Sequence, residues 1–219
     1  MTARHPYSPP PHQGLDIVYA EESFLVVNKP SGLLSVPGRG EDKQDCLAAR
    51  VQAEYPEALI VHRLDMETSG LLVLARSEEA HRRLSRLFRE RRVDKRYIAI
   101  VAGRLETAAG EVNLPLICDW PNRPRQKVDF ELGKPSLTRF RVLGYDPAAD
   151  ATRVELEPIT GRSHQLRVHM QSLGHPILGD PLYGPPAGRS PHLLLHAACL
   201  AFPHPFDDET RAFSSPPPF

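Results

Sequence analysis

One carboxylate in the sequence lies where it could do chemistry. Asp65 belongs to the segment 61–70, and the apolar run 71–75 follows directly. Such a run is typical of a buried strand, and a loop that leads into a rigid strand can expose a side chain while the scaffold fixes its position. Asp65 could therefore act as a nucleophile or as a general base. The alternative is that Asp65 only caps a turn through Thr68 and Ser69.

Motifs of several other chemistries are absent. The sequence contains no Gly-x-x-x-x-Gly-Lys-Ser/Thr phosphate loop, no Gly-x-Gly-x-x-Gly, no His-Glu-x-x-His and no Cys-x-x-Cys. His164 and His169 are five residues apart, and His192 and His196 are four apart in a predicted strand. Neither histidine pair gives a convergent ligand face, so we expect no metal site.

Six segments form an ordered series along the chain. They are Asn-Lys-Pro-Ser-Gly-Leu (28–33), His-Arg-Leu-Asp-Met-Glu-Thr-Ser-Gly-Leu-Leu (62–72), Lys-Arg-Tyr-Ile-Ala (95–99), Ile-Thr-Gly-Arg-Ser-His-Gln-Leu-Arg-Val-His (159–169), Gly-His-Pro-Ile-Leu-Gly-Asp (174–180) and Leu-Leu-Leu-His-Ala (193–197). Together they resemble the motifs of the RluA family of pseudouridine synthases. The resemblance extends from Phe24 to about Phe202 and is specific because the segments occur in the expected order.

The resemblance implies roles for individual residues. Asp65 matches the catalytic aspartate, Tyr97 the tyrosine that stacks on the target base, and Arg167 the basic residue that pairs with the aspartate. Without the resemblance, Tyr97 would be an ordinary sheet residue, and Arg167 could contact phosphate from an exposed helix. Arg63 matches the residue that helps to fill the gap left by the extruded base, and Leu195 lies in the apolar motif that lines the pocket.

The implied reaction is the isomerisation of uridine. The N1–C1′ bond breaks, the uracil turns, and C5 is joined to C1′. Because no electrons leave and no group is imported, the reaction needs no cofactor. One ionised carboxylate suffices, either as a nucleophile at C1′ or as the base that removes a ribose proton. An arginine within about 4–6 Å would lower the pKa of that carboxylate by roughly 1–3 units. Glu67 is near in sequence, but nothing pairs it geometrically with Asp65.

Basic residues are clustered although the net charge is zero, with 27 basic and 27 acidic residues. The zero net charge argues weakly against nucleic-acid binding. Residues 82–96, however, contain eight Lys or Arg and two acids, which suits contacts with RNA phosphates; the alternative is an ordinary solvated helix face. The residues expected to contact RNA are His62, Arg63, Arg39, Arg96, Arg123, Arg125, Arg162 and Leu195.

Two further segments, 33–39 and 114–124, are similar to dual-specificity members of the family. They imply stem-loops of 23S rRNA and of tRNA as the RNA partners, which one compact domain could recognise by shape. Family members often carry an N-terminal S4-type RNA-binding domain, but the first motif begins near Phe24, so we expect none here. Two other functions remain open: a non-catalytic RNA-binding or ribosome-assembly module, and a nucleic-acid N-glycosylase. The set of Asp65, Tyr97 and Arg167 favours catalysis over the first, and the lack of a water-activating partner weighs against the second.

The hydrophobic pattern predicts more strands than helices. Helices are expected at 44–54, 77–91 and 163–173, and strands at 16–19, 24–28, 70–75, 96–102, 138–145, 152–157 and 193–202, with a further extended piece at 33–37. Because the two types do not alternate regularly, the pattern favours an α+β fold with a mixed, mostly antiparallel sheet flanked by helices and loops. We expect a Pro-rich tail over 1–14 and a single catalytic domain over 15–219.

The composition also bears on the compartment. No apolar stretch approaches the roughly 20 residues of a membrane span, and the N-terminus lacks the hydrophobic core of a signal peptide. Cys46, Cys118 and Cys199 are odd in number and widely spaced, so a disulfide framework is not expected. We expect a cytoplasmic protein that acts as a monomer.

Overall fold

The computed structural model describes residues 7–184 and 190–219. The chain divides into two compact units, which are described separately. The first unit comprises Met1–Val93 and Ala201–Ser215, and the second comprises Asp94–Leu200 and Pro216–Phe219. No helix in the described residues is long and apolar enough to cross a membrane.

The first unit contains antiparallel strands and two helices. Its elements are β1 (Ile17–Ala20), β2 (Phe24–Lys29), a 3-10 turn (Glu41–Lys43), α1 (Leu47–Glu54), β3 (Leu59–Ile60), β4 (Ser69–Ala75), α2 (Glu78–Arg89) and β12 (Thr210–Ser214). β2 pairs with β1 and, from Phe24 opposite Ala75 to Lys29 opposite Gly70, with β4. Every residue of β4 is buried, which explains its uninterrupted apolar sequence.

The two helices of the first unit begin at capping residues. The Ser77 hydroxyl accepts a hydrogen bond from the Ala80 amide at 3.2 Å, so α2 starts where the sequence predicts. α1 starts three residues later than predicted because the N-cap is Cys46, whose sulfur accepts from the Ala49 amide.

The Pro-rich N-terminal segment is irregular from Tyr7 onwards but anchored. The Tyr7 hydroxyl donates to the carbonyl of Asp45 at 2.9 Å and accepts from the Leu34 amide at 3.0 Å. Arg50 donates to the carbonyl of Pro10 at 2.6 Å. The described part of this segment therefore packs on the first unit.

The second unit is built mainly on antiparallel strands. Its elements are β5 (Asp94–Ala102), β6 (Ala109–Asn113), β7 (Leu116–Cys118), a 3-10 turn (Trp120–Asn122), β8 (Gln126–Val128), β9 (Leu137–Asp146), β10 (Ala151–Pro158), α3 (Gln165–Ser172) and β11 (Leu195–Pro203), whose last three residues belong to the first unit. β10 pairs with β5 and β9, and β9 also pairs with β6. β7 and β8 form a separate hairpin.

The predicted fold class is confirmed. All three predicted helices and all seven predicted strands are present, and the described pairings are antiparallel. The extended piece predicted at 33–37 does not form a strand. The strands that the pattern did not predict are β3, β6, β7, β8 and β12. They are two to five residues long, which is too short for a clear alternation of polar and apolar residues.

Candidate active site

Asp65 lies on the loop between β3 and β4, and the main chain of this loop is fixed from both sides. Ser35 is buried, and its hydroxyl donates to the carbonyl of Leu64 at 2.8 Å and accepts from the Leu64 amide at 3.1 Å. The Thr68 amide donates to the carbonyl of Asp65 at 3.1 Å and closes a turn. A turn is thus present, and the backbone oxygen of Asp65 closes it. Asp65 is half-buried and lies between Leu64, held by Ser35, and Met66, held by Lys29.

Lys29 forms the other support of the Asp65 loop. Its side chain is only 1% exposed, and its ammonium donates to the carbonyls of Pro30 at 2.9 Å, Leu33 at 2.7 Å and Met66 at 2.9 Å. The three N–H groups of an ammonium match three acceptors. This cage joins the end of β2 to the residue that follows Asp65.

The cage is reinforced by the neighbouring turn. The Ser31 hydroxyl donates to the carbonyl of Glu67 at 2.7 Å, and the Gly32 amide donates to the carbonyl of Met66 at 2.9 Å. Gly32 has a φ of 82°, a conformation that favours glycine. The segments 28–33 and 62–72, which the sequence places 34 residues apart at their starts, therefore form one rigid support for Asp65.

Burial and nearby carboxylates act in opposite directions on Lys29. Burial lowers the pKa of Lys29 to about 7, while the charges of Glu67 and Asp65 raise it. The carboxylate of Asp65 therefore lies within electrostatic reach of a buried amine.

His62 and Arg63 differ in their surroundings. The His62 Nε2 atom accepts a hydrogen bond from the Val73 amide at 3.1 Å, and its ring stacks on that of Phe88 with 4.4 Å between centroids. His62 thus links β4 to α2, whereas Arg63 is exposed to solvent.

Arg167 is the central charged residue of α3. Its Nε and Nη2 atoms donate to the two carboxylate oxygens of Asp180 at 2.7 and 2.8 Å. Burial raises the pKa of Asp180, but the hydrogen bonds and charge of Arg167 outweigh burial and hold that pKa below its usual value. Because both side chains are buried, the interpretation of Arg167 as a phosphate ligand on an exposed helix is wrong.

Tyr183 completes this cluster. Its ring centroid lies 5.1 Å from the guanidinium carbon of Arg167, and its hydroxyl lies 2.7 Å from His164 Nδ1. The Asp180 carboxylate also accepts from the amides of Leu182 and Tyr183 at 2.9 and 3.0 Å. No role was predicted for Asp180 or Tyr183 from the sequence. The signal was present, since Asp180 ends the segment 174–180.

Buried hydrogen bonds fix the position of α3. The side-chain nitrogen of Gln165, Nε2, donates to the carbonyl of Leu137 at 2.9 Å, and the side-chain oxygen, Oε1, accepts from the hydroxyl of Thr160 at 2.7 Å. His169 is within hydrogen-bonding distance of Thr138 and of the carbonyl of Leu114, and burial lowers the pKa of His169. The helix therefore presents Arg167 from a rigid base.

Tyr97 and Leu195 are packed into the second unit. Tyr97 lies opposite Leu156 in the pairing of β5 with β10 and is half-buried against the hydrophobic core. Leu195 is a member of that core and is 2% exposed. Leu195 can shape a pocket by packing but has little surface to offer RNA directly.

The predicted RNA contacts are distributed over both units. The first unit contains Asp65, His62, Arg63 and Arg39, and the second contains Tyr97, Arg96, Arg123, Arg125, Arg162, Arg167 and Leu195. Arg39, Arg123 and Arg125 are exposed. Arg96 donates to Glu155 at 3.1 Å, and Arg162 donates to the carbonyl of Pro135 at 3.3 Å.

Comparisons with known proteins identify the family of the chain. Residues 23–172 match the model of the family described as RNA pseudouridylate synthase. The dual-specificity RNA pseudouridine synthase RluA of Pasteurella multocida (strain Pm70) is 56% identical over 215 residues, which cover 97% of this chain and 98% of the relative. The enzyme of the same description from Escherichia coli (strain K12) is 55% identical over 216 residues, with the same coverage.

Solved structures show the same fold. Human RNA Pseudouridylate Synthase Domain Containing 1 superposes with a TM-score of 0.81 at 34% identity and covers 97% of this chain and 87% of its own. Human RNA Pseudouridylate Synthase Domain Containing 4 has a TM-score of 0.74 at 26% identity and covers 92% of this chain and 88% of its own.

Proposed function

The chain belongs to the RNA pseudouridylate synthase family and is an isomerase, and from this premise we propose that it converts particular uridines to pseudouridine in two RNAs. These are a stem-loop of 23S rRNA and the anticodon stem-loop of tRNA. The proposal is supported by relatives described as dual-specificity enzymes at 55–56% identity over 97% of the chain, and by the similarity of segments 33–39 and 114–124 to such enzymes.

Asp65 is the proposed catalytic carboxylate. The observation that carries this assignment is the support of its loop by Lys29 and Ser35, which fix the residues on both sides of it. A carboxylate held in this way can attack C1′ or remove a ribose proton without first being ordered. The N1–C1′ bond then breaks, C5 bonds to C1′, the C5 hydrogen leaves as a proton, and N1 takes up a proton. Atoms and electrons balance without a second substrate.

Tyr97 is proposed to stack on the uracil, and Arg167 is proposed to be the basic residue of the reaction. The bidentate pair with Asp180 fixes the plane of the Arg167 guanidinium, and a fixed guanidinium is suited to pairing with a carboxylate. Tyr97 is half-buried on a central strand of its unit, which restricts its ring to few orientations. Arg63, exposed beside Asp65, is proposed to fill the space of the extruded base.

The oligomeric state, the cofactor requirement and the compartment complete the proposal. We propose that the enzyme acts as a monomer, needs no cofactor or metal and works in the cytoplasm. The isomerisation moves no electrons to or from an external carrier. Cys46, Cys118 and Cys199 are free thiols, as expected in a reducing compartment.

The reaction class and the two RNAs are tested with uridine labelled by tritium at C5. The wild-type protein is incubated with labelled tRNA, labelled 23S rRNA and a labelled fully paired duplex as the control. The proposal predicts tritium release into water from the first two RNAs and none from the duplex. Binding without release would indicate a non-catalytic RNA-binding module, and free uracil would indicate an N-glycosylase; either result contradicts the proposal.

A further inference from the structure

The tip of the β7–β8 hairpin carries an exposed aromatic residue that the proposed reaction does not use. Trp120 is 68% exposed and is the only tryptophan in the sequence. The guanidinium carbon of Arg123 lies over its ring, 4.0 Å from the centroid. Tryptophan is enriched at interaction surfaces because its large apolar ring carries one polar N–H group.

The tip is rigid because its backbone is closed by hydrogen bonds. The Asp119 amide donates to the carbonyl of Arg125 at 2.9 Å, the Asn122 amide donates to that of Asp119 at 3.0 Å, and the Arg125 amide donates to that of Asn122 at 3.1 Å. The Arg123 Nε atom donates to the carbonyl of Trp120 at 3.1 Å. The indole and the guanidinium are therefore stacked before any partner arrives, which reduces the entropy lost on binding.

The hairpin is also connected to the residues that hold Arg167. The Gln126 amide, at the start of β8, donates to the hydroxyl of Tyr183 at 2.7 Å, and the ring of Tyr183 packs on the Arg167 guanidinium. A nucleotide held at Trp120 would thus be held by the same rigid body that carries Arg167.

The charge of the hairpin selects the kind of partner. Arg123, Arg125 and Lys127 are exposed within nine residues that include one acid, Asp119. Aromatic rings that stack bases, next to arginines and lysines that contact phosphates, are the usual means of binding unpaired nucleotides. The indole of Trp120 is exposed among basic residues, and one of its faces is covered by a guanidinium. A nucleobase could stack on the other face.

We propose that Trp120 and Arg123 form a stacking platform for an unpaired nucleotide of the substrate RNA, outside the target uridine itself. This inference rests on the proposed function, because the RNA is the substrate of that reaction. A stem-loop presents such unpaired bases, whereas a duplex does not, so the platform would help the enzyme to select loops.

Because the chain has one tryptophan, its fluorescence reports on the platform directly. The Asp65→Asn variant is titrated with a synthetic RNA hairpin that has the sequence of a tRNA anticodon stem-loop, and with a fully paired duplex of equal length. Stacking predicts that the hairpin quenches the fluorescence with the same Kd that filter binding gives, and that the duplex quenches it much less. Binding of the hairpin without quenching, or equal quenching by the duplex, would overturn the proposal.

Variants separate stacking from a general loss of structure. Trp120→Ala is expected to weaken hairpin binding about 10-fold, which corresponds to about 1.4 kcal/mol and lies in the range of base–aromatic stacking. Trp120→Phe is expected to restore most of the affinity. Tyr145→Ala is the matched control, since Tyr145 is an exposed aromatic residue of the same unit with Arg104 5.4 Å from its ring. If Trp120→Ala binds as tightly as wild type, or Tyr145→Ala is weakened equally, the platform is disproved.

The platform and the proposed function fail in different ways. Over a range of labelled RNA concentrations, Trp120→Ala is expected to raise KM for tritium release and to retain kcat. Tritium release by wild type without any effect of Trp120→Ala would contradict only the platform. Weakened binding by Trp120→Ala, in a protein whose wild type releases no tritium, would contradict only the proposed function.

Discussion

Arg167 and Asp180 form a bidentate ion pair whose side chains are 3% and 0% exposed. The geometry satisfies two N–H donors of the guanidinium with both oxygens of one carboxylate. A buried pair of this kind adds little net stability when intact, but removal of one partner leaves an uncompensated charge in the interior. Asp180 therefore positions Arg167 and also makes the second unit sensitive to substitution.

Asp180→Asn is expected to lower the free energy of unfolding by about 3–5 kcal/mol. The reason is that the Arg167 guanidinium stays buried and loses the countercharge of Asp180. Urea denaturation measures the effect, with Glu111→Gln as the control, since Glu111 pairs with Arg139 at an exposed site. That surface change is expected to cost less than about 1 kcal/mol. Equal losses in the two variants would mean that the buried pair has no special role.

Ser35→Ala is expected to lower kcat more than it changes KM for RNA. It removes both hydrogen bonds to Leu64 and should cost about 1–3 kcal/mol of stability, and it frees the backbone directly before Asp65. Ser136→Ala in the second unit is the control, because Ser136 is also buried and its hydroxyl donates to a backbone carbonyl. A similar fall of kcat in the Ser136 variant would show that general destabilisation, and not the Asp65 loop, is responsible.

The lowered pKa of Lys29 predicts a specific pH dependence of the free energy of unfolding. Burial lowers its pKa in the folded protein from 10.5 to about 7. Below about pH 7 the lysine is protonated in the folded and in the unfolded protein. Between about pH 7 and pH 10.5 the unfolded chain binds more protons than the folded protein, so the free energy of unfolding rises with pH. The largest slope is about 1.4 kcal/mol per pH unit.

Lys29→Met lacks the titrating group and is expected to lack this rise. Urea denaturation of both proteins at several values between about pH 6 and pH 9 measures the difference between the two stabilities. Other titrating groups are common to the two proteins and cancel in that difference. A constant difference would mean that the three carbonyl acceptors hold Lys29 as an ammonium throughout.

The prediction of one catalytic domain over 15–219 is tested by unfolding. Cys46 is buried in the first unit, and Trp120 lies in the second. With Cys118 and Cys199 replaced by Ser, thiol labelling reports on the first unit and tryptophan fluorescence on the second. A single domain predicts urea transitions that coincide. Two separate midpoints would contradict it.

Local sequence patterns predicted the main elements because each has its own signal. The apolar run of β4 and the cap at Ser77 are examples. The β7–β8 hairpin was not predicted, since its strands have three residues each and depend on contacts such as that of Gln126 with Tyr183.

The supports of the site residues could not be predicted for a related reason. Asp180 is 13 residues from Arg167 in sequence, and Ser35 is 29 residues from Leu64. No periodicity connects residues at such separations. Only the folded chain shows that a motif lysine, Lys29, holds the backbone of the loop that carries Asp65.

Asp65 carries the proposed chemistry, and the most direct test of its role compares two carboxylates of one loop. Asp65→Asn and Glu67→Gln are assayed in a single turnover for tritium release from C5-labelled tRNA, with RNA binding measured in parallel. Asp65→Asn is expected to bind the RNA but to release no tritium, whereas Glu67→Gln is expected to release it at nearly the wild-type rate. Release by Asp65→Asn at the wild-type rate would contradict the assignment of Asp65 as the catalytic carboxylate.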